Sequence, residues 1–319
     1  MSNLILAPAL PFNGNKRNWI SILKKQFATY EFSEDTIICD LFGGSGILSH
    51  FFAWRYPKNK VIYNDFDNYL SLFDKIDLIN AMKEWGVNFM NEKGYKKNEK
   101  ISMEDKQIIL NKLNELFGVD YEKDEKLLNV ICANWCFSGR NNLNGYLYNK
   151  LSLAPYKDNR NEYILPNMEV CSMDFKDLLK IIKDKKVFYI LDPPYLSTSK
   201  NFYTGEFWGI EKTCDIIEIC LNNQCILFES DKSEILPLFE LLNRFGKTKV
   251  DKKSSNPRSL GGRSVSKDYY VLFNMDWSKI EILKNEEKKK NEIVLTDEEI
   301  EILKKIREEK THKSNPSQE

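Results

Sequence analysis

The stretch Val187-Phe188-Tyr189-Ile190-Leu191-Asp192-Pro193-Pro194-Tyr195 constrains this chain most. An unbroken apolar run ends in a carboxylate, two prolines and an aromatic ring. Such a run reads as a strand buried on both faces, as in the middle of a parallel sheet. Proline has no N–H to donate and cannot continue a central strand. The strand therefore stops at Asp192, and a stiff turn lies beyond its carboxyl end. In open α/β sheets ligands bind in that position. The turn offers an acceptor side chain, a carbonyl stiffened by proline and a flat ring, which together suit a planar base carrying an amino group. The alternative is a buried strand closed by a purely structural Pro-Pro turn, and the rest of the chain has to decide between them.

A second constraint lies upstream. Thr36-Ile37-Ile38-Cys39-Asp40-Leu41-Phe42 reads as a buried strand, followed by Gly43-Gly44-Ser45-Gly46 and a helix from Ile47 to Ala53. Strand, glycine turn and helix form the nucleotide-binding opening of a doubly wound sheet. The glycines let backbone approach a ligand, and the helix N-terminus offers free N–H groups. Val61-Ile62-Tyr63-Asn64-Asp65 is a second strand ending in an acid. It follows the glycines at about the twenty-residue spacing at which a carboxylate reaches ribose hydroxyls. The full dinucleotide fingerprint and the P-loop Gly-Lys-Ser/Thr are both missing. A nucleoside without a phosphate to cradle fits better, and S-adenosylmethionine is such a ligand.

Between these strands the pattern turns helical. Leu70, Phe73, Ile76 and Ile79 make one amphipathic face; Ile108, Ile109, Leu113 and Leu116 make another; Leu127, Leu128, Ile131, Cys132 and Trp135 make a third. The polar Lys93-Gly94-Tyr95-Lys96-Lys97-Asn98 is expected to be a mobile connection. Phe137 to Asn149 then gathers arginine, asparagines and tyrosines around an Asn-Gly turn, read as a hairpin or extended loop. Those residue types suit base edges and base faces; an ordinary polar surface hairpin is the alternative. The sheet resumes at Glu169 to Met173. Ser197 to Gly205 is a polar loop with aromatics, placed as a lid. Lys247 to Lys267 reads as a loop, with Lys247, Lys249, Lys252, Lys253, Arg258, Arg263 and Lys267 against only Asp251 and Asp268. Asp268 to Asn274 is the expected last strand. Beyond Trp277 the composition is charged and helical, with Thr296 and Glu299 forming a capping box, and the final residues are expected to be disordered.

Composition excludes several classes. The 47 Lys and Arg balance the 47 Asp and Glu, so any nucleic-acid partner must be met by a local patch. The seven cysteines are odd in number and scattered, which fits free thiols in a reducing cytoplasm. Cys132 and Cys136 lie one helical turn apart and read as core packing, not zinc ligands. His50 and His312 are the only histidines, which leaves no material for a His-based triad or metal site. The apolar start, Met1 to Pro11, is too short for a membrane span and lacks a signal peptide's pattern.

Taken together and in order, these motifs resemble the Dam-like, D12-class DNA adenine-N6 methyltransferases, with the motif order of the alpha group. The likeness runs from Pro11 to Asn274. Phe12-Asn13-Gly14-Asn15-Lys16 resembles the family's aromatic-x-Gly-Gly-Lys opening. Asp40-Leu41-Phe42-Gly43-Gly44-Ser45-Gly46 matches the cofactor loop, and Asn64-Asp65 the motif whose acid holds the ribose. Asp174-Phe175 falls where the family contacts the cofactor's adenine. Asp192-Pro193-Pro194-Tyr195 is the family's catalytic tetrapeptide, and Asn201-Phe202 matches its downstream Asn-Phe. Phe137 to Pro155 is similar to the hairpin that enters DNA in those enzymes, but Ser138 replaces an asparagine and the arginine is shifted. The recognition sequence therefore cannot be carried over. Lys253 to Asn256, with Gly262-Arg263, resembles the late basic loop.

The resemblance implies an α/β fold: a Rossmann-like doubly wound methyltransferase sheet with an inserted, mainly helical target-recognition subdomain. Residues 1–67 and 166–277 would form the catalytic domain, 68–165 the recognition subdomain and 278–319 a charged helical tail. It implies S-adenosylmethionine as cofactor, held by Phe12, Lys16, Asp40, Phe42, Gly43, Gly44, Ser45, Gly46, Asp65, Asp174, Phe175 and Asp192. Asp192, Pro193, Pro194 and Tyr195 would act on a flipped adenine. Tyr195, Phe202, Ser138, Arg140, Asn141, Asn142, Asn144, Lys252, Lys253, Arg258 and Arg263 would touch DNA. Double-stranded DNA is the expected partner and a cognate restriction endonuclease a candidate one. No metal and no membrane is expected, and the chain is read as a cytoplasmic monomer or weak dimer in a bacterial or phage-infected host cell. Two alternatives stay open: an adenine-N6 RNA methyltransferase, and a non-catalytic DNA-binding protein on a methylase fold.

Overall fold

A computed structural model describes residues 4–8, 10–12, 14–118, 125–136, 143–148, 151, 153–194, 209–230, 235–244, 250–260 and 264–276; for 125, 243, 250–260 and 264–267 it describes backbone alone. The compact unit runs from Met1 to Met275. A 3₁₀ turn (Arg17–Trp19) enters α1 (Ile20–Gln26). β1 (Ile37–Asp40), α2 (Ile47–Arg55) and β2 (Val61–Asn64) follow, as the strand–glycine–helix–strand pattern requires. A 3₁₀ segment (Tyr69–Lys75) opens the helical stretch of α3 (Ile76–Glu92), α4 (Met103–Phe117), α5 (Glu125–Cys132) and α6 (Arg160–Tyr163). The sheet returns with β3 (Met168–Cys171), α7 (Phe175–Ile182) and β4 (Val187–Leu191). It closes through α8 (Ile210–Asn222), β5 (Gln224–Ser230), α9 (Ile235–Arg244), β6 (Val250–Leu260) and β7 (Ser264–Phe273).

Among the described residues the strands form one seven-stranded sheet in the order β3-β2-β1-β4-β5-β7-β6. β3, β2, β1, β4 and β5 are mutually parallel; β7 runs antiparallel to β5, and β6 antiparallel to β7. This is the Rossmann-like methyltransferase architecture expected from the sequence. The chain lays down β1, β2 and β3 in one direction, then returns to place β4 on the other side of β1. The topological switch point, where doubly wound sheets bind ligands, therefore lies between β1 and β4. Asp40 pairs with Ile190 across that boundary, and the Leu41 N–H donates to the Ile190 carbonyl at 3.2 Å.

Burial explains the apolar runs. Every residue of β2 and β4 is buried, whereas the edge strand β3 is half exposed and carries Glu169 and Val170. One face of the sheet packs Cys39, Leu41, Tyr189, Leu191, Leu227 and Val271 against α7, α8 and α9. The helical stretch has its own core, with Met82, Val87, Met90, Ile109, Leu113, Leu128 and Trp135. Cys132 and Cys136 lie within that core, as their spacing predicts. No described helix is long and apolar enough to cross a membrane.

Two expectations are corrected. Lys247 to Lys267, read as a loop, instead contributes β6 and the start of β7. β6 is the edge strand, where Pro257 costs no ladder bond that the sheet needs, and the register shifts between Ser254 and Pro257. Lys93 to Asn98, read as a mobile connection, is tied at both ends: Lys93, Gly94 and Tyr95 donate back to α3, and Asn98 pairs with the segment after Leu143. The Asn98 N–H donates to the Leu147 carbonyl, and the Leu147 N–H to the Glu99 carbonyl, both at 3.0 Å. Bridges Lys100–Tyr146 and Cys136–Leu147 place 143–148 as an extended strip between two other segments. The lid expected at Ser197 to Gly205 and the capping box at Thr296 lie outside the described residues.

Candidate active site

The site is assembled at the carboxyl ends of β1 and β4. Asp192 follows β4 directly, with its side chain one-fifth exposed. Lys16, almost fully buried, reaches it across the switch point: Nζ lies 2.5 Å from Asp192 Oδ2 and also donates to the Gly14 carbonyl at 3.0 Å. The same ammonium stands 5.8 Å from the centre of the Phe228 ring on β5. A cation at the head of a 3₁₀–α1 helical run is unfavourable for the helix dipole. The ion pair with Asp192 supplies the reason for Lys16 to be there.

Asp40 ends β1 with no exposed surface. The Ser49 hydroxyl donates to its Oδ2 at 2.6 Å, while its buried Oδ1 meets no donor in hydrogen-bonding geometry among the described residues. Burial pushes its carboxyl up to about 7; the Ser49 hydroxyl and the nearby Phe42 and Ser49 backbone amides oppose this, and the negative charge of Asp192 adds to it. Two carboxylates thus face one another across the switch point, and Lys16 holds the second.

The glycine turn follows β1 and is packed against aromatic rings. A side-chain carbon at Gly43 would meet the Tyr63 ring at 2.3 Å, and one at Gly44 the Phe12 ring at 3.0 Å, with Gly44 in the left-handed region at φ +50°. Phe12 therefore lies over the loop, braced edge-on by Tyr69. Two tyrosine hydroxyls grip the loop's carbonyls: Tyr63 donates to Gly44 at 2.8 Å and Tyr163 to Ser45 at 2.7 Å. Tyr163 is fully buried and stacks on His50 at 5.1 Å. The His50 Nε2 accepts the Ile5 N–H at 3.0 Å, so Nδ1 carries the proton and donates to the Tyr163 carbonyl at 2.7 Å.

Asp65 is buried just beyond β2. Its two oxygens accept the N–H groups of Tyr69 (2.7 Å) and Leu70 (2.9 Å), opening the 3₁₀ segment. Burial pushes it up to about 6, against those two amide bonds. A carboxylate has capacity for further donors after two such bonds. Asp174 caps α7 by accepting from the Lys176 N–H at 2.8 Å, and Phe175 sits 5.4 Å from Phe42. Asn64 knits three strand ends together: it donates to the Leu41 and Met173 carbonyls and accepts the Met173 N–H.

The structure therefore brings together Phe12 with Gly44, Lys16 with Asp192, Asp40 with Ser49, and Phe42 with Phe175. Asn144 is exposed on the 143–148 strip. Lys252, Lys253 and Arg258 are placed on β6 by their backbone. Tyr195, Phe202, Ser138, Arg140, Asn141, Asn142 and Arg263 lie outside the described residues. Sequence reasoning missed Ser49, Tyr63 and Tyr163, and named Asn64 beside Asp65 without a role of its own. The polarity of Asn64 and Ser49, within otherwise apolar buried segments, is a signal that could have marked both.

The sequence profile of the D12 class N6 adenine-specific DNA methyltransferase family matches residues 12–256. A Haemophilus influenzae protein named "Putative methyltransferase" is 32% identical over 253 residues, covering 76% of this chain and 81% of that one. Among solved structures, a precorrin-6Y C5,15-methyltransferase from Geobacter metallireducens aligns over 86% of this chain and 98% of its own at 10% identity. Its TM-score of 0.38 is too low to carry weight for fold or activity. The match over most of the chain, with the acidic turn and the glycine loop meeting at one switch point, places this protein in the D12 class of N6 adenine-specific DNA methyltransferases.

Proposed function

We propose that this chain transfers a methyl group from S-adenosylmethionine to the exocyclic N6 of an adenine that has left the DNA stack. The observation that carries the reading is the Lys16–Asp192 ion pair across the switch point, beside the glycine loop. Residues 1–67 and 166–277 are assigned to catalysis and 68–165 to choosing the target.

The residues present fit the cofactor. Asp40 Oδ1 is buried and has no hydrogen-bond partner among the described residues, and a cationic ligand beside it would favour the charged carboxylate. The glycine loop, roofed by Phe12, leaves room for no side chain at Gly43 or Gly44. Phe12, Asp40, the loop from Gly43 to Gly46, Asp65, Asp174 and Phe175 would hold the group. When bound, it supplies a methyl already activated on a sulfonium.

The remaining work falls to the chain. The N6 lone pair of adenine is delocalised into the ring and is a poor nucleophile. A carboxylate at Asp192 and the carbonyl of Pro193, each accepting one amine hydrogen, favour a pyramidal nitrogen with its lone pair aimed outward. They also oppose the positive charge that develops on nitrogen. Lys16 fixes the orientation of the carboxylate, and the proline rings stiffen the carbonyl. The extra proton on the methylated nitrogen leaves to Asp192 or to water. Tyr195 would stack on the base, with Phe202 beside it. Extrusion of the base costs a few kcal/mol, which contacts from the recognition segment offset.

Incubating the chain with methyl-labelled S-adenosylmethionine and either duplex DNA or RNA tests this. Label recovered as N6-methyladenine in DNA is the expected result. Label in RNA alone, or in another base, would overturn it.

A further inference from the structure

The helical stretch carries a second basic feature, separate from β6. Along 143–148 burial alternates: Leu143, Gly145 and Leu147 face inward, while Asn144 and Tyr146 face outward. This is the period of two that an extended strip imposes. The strip is held on both sides by the Lys100–Tyr146 and Cys136–Leu147 bridges, and by the Tyr148 N–H donating to the Trp135 carbonyl at 2.9 Å.

Each outward residue holds a lysine. Lys100 places Nζ over the Tyr146 ring, 4.9 Å from its centre, and Lys106 on α4 donates to the Asn144 side-chain oxygen. The partners are a ring face and an amide, both neutral. Neighbouring lysines differ: Lys93 pairs with Asp105 at 2.8 Å, Lys112 with Glu115 at 2.6 Å and Lys126 with Asp67 at 3.1 Å. An ammonium paired with a carboxylate has its charge cancelled. One held by a ring or an amide is ordered and keeps its full charge for an anion. Among the described residues neither Lys100 nor Lys106 forms an ion pair with a carboxylate. The exposed acids nearest in sequence have other positions: Glu99 accepts the Lys96 N–H at 2.7 Å, and Glu104 lies in the first turn of α4.

We infer that Lys100 and Lys106, pre-ordered on Tyr146 and Asn144, form a clamp for backbone phosphates of duplex DNA beside the recognition segment. The inference rests on the reading that this chain acts on DNA. It explains why the end of a polar stretch that looks like a linker, from Asn98 to Lys100, is instead paired with the strip. The pairing sets two cations at fixed positions on the face the strip presents.

Counterion release gives a readout that a merely structural role would not move. Each phosphate neutralised contributes roughly 0.9 to the slope of log affinity against log salt. The full-length Lys100→Gln/Lys106→Gln variant should bind a short duplex with a slope shallower by about 1.8. Between 50 and 200 mM salt it should therefore lose about 12-fold less affinity than the wild type. Lys100→Arg/Lys106→Arg should restore the slope. A folded double glutamine variant with the wild-type slope would overturn the clamp alone. A wild-type chain that bound no duplex DNA would overturn both the clamp and the reading beneath it.

Discussion

Replacing Tyr163 by Phe removes one hydroxyl and little else. The ring stays on His50, and the backbone carbonyl still accepts the His50 N–H. What is lost is the 2.7 Å bond to the Ser45 carbonyl, in a residue only 3% exposed. A buried neutral hydrogen bond contributes about 1 kcal/mol, rising to about 3 if the carbonyl is left without another donor. In a chain of this size each kcal/mol lowers the melting midpoint by roughly 2 °C. The functional consequence is separate. Ser45 lies inside the loop assigned to the cofactor, and its carbonyl orients the adjoining peptide planes. Loss of about 1 kcal/mol of loop order should weaken S-adenosylmethionine binding roughly fivefold. Because Tyr163 touches the loop and not the assigned reacting atoms, KM for the cofactor should rise while kcat falls little. Calorimetric titration of the cofactor, paired with thermal melts, separates the effects. A variant that melts lower but binds the cofactor with unchanged affinity would refute the positioning role and leave Tyr163 a purely structural residue.

Other consequences can be measured on the same preparation. Asp40 is raised to about 7, so between about pH 4 and pH 7 the folded chain holds a proton that the unfolded chain has released. Stability contributed by that proton is present at low pH and lost as pH rises through 7. Asp40→Asn should therefore melt progressively higher than wild type from pH 5 to pH 8, and should bind the cofactor more weakly. Equal pH dependence in the two chains would contradict the burial argument. Lys16→Met removes a charge-assisted bond worth about 1.5–3 kcal/mol, so methyl transfer should slow by roughly 10- to 150-fold. A rate within twofold of wild type would show that Asp192 needs no orienting cation.

Much of the fold was legible because burial writes itself into sequence. The run before Asp192 is apolar throughout and the run before Gly43 is apolar apart from Thr36 and Asp40, because both strands are covered on both faces, and the turns at their ends are punctuated by proline and glycine. Lys16 stood out as a cation at the wrong end of a helix, and the structure pairs it with Asp192. What was not legible depends on pairing between distant segments. β6 lies at an edge and needs no apolar pattern, so its lysines and serines read as loop. The link from Lys93 to Asn98 is polar because it is exposed, yet at Asn98 its backbone is paired with a segment almost fifty residues away. The grip of Tyr63 and Tyr163 on the glycine loop is a matter of hydroxyl-to-carbonyl geometry, and tyrosine in a core is ordinary by composition.

The central claim is that Asp192 accepts a hydrogen from the amine that is methylated. Asp192→Ala tests it most directly, with the folded variant given labelled cofactor and duplex DNA and scored for N6-methyladenine. The account predicts that methylation is abolished in a variant that still folds, with a lower melting midpoint because the nearly buried Lys16 loses its carboxylate partner. An undiminished rate of adenine methylation in that variant would contradict the assigned chemistry.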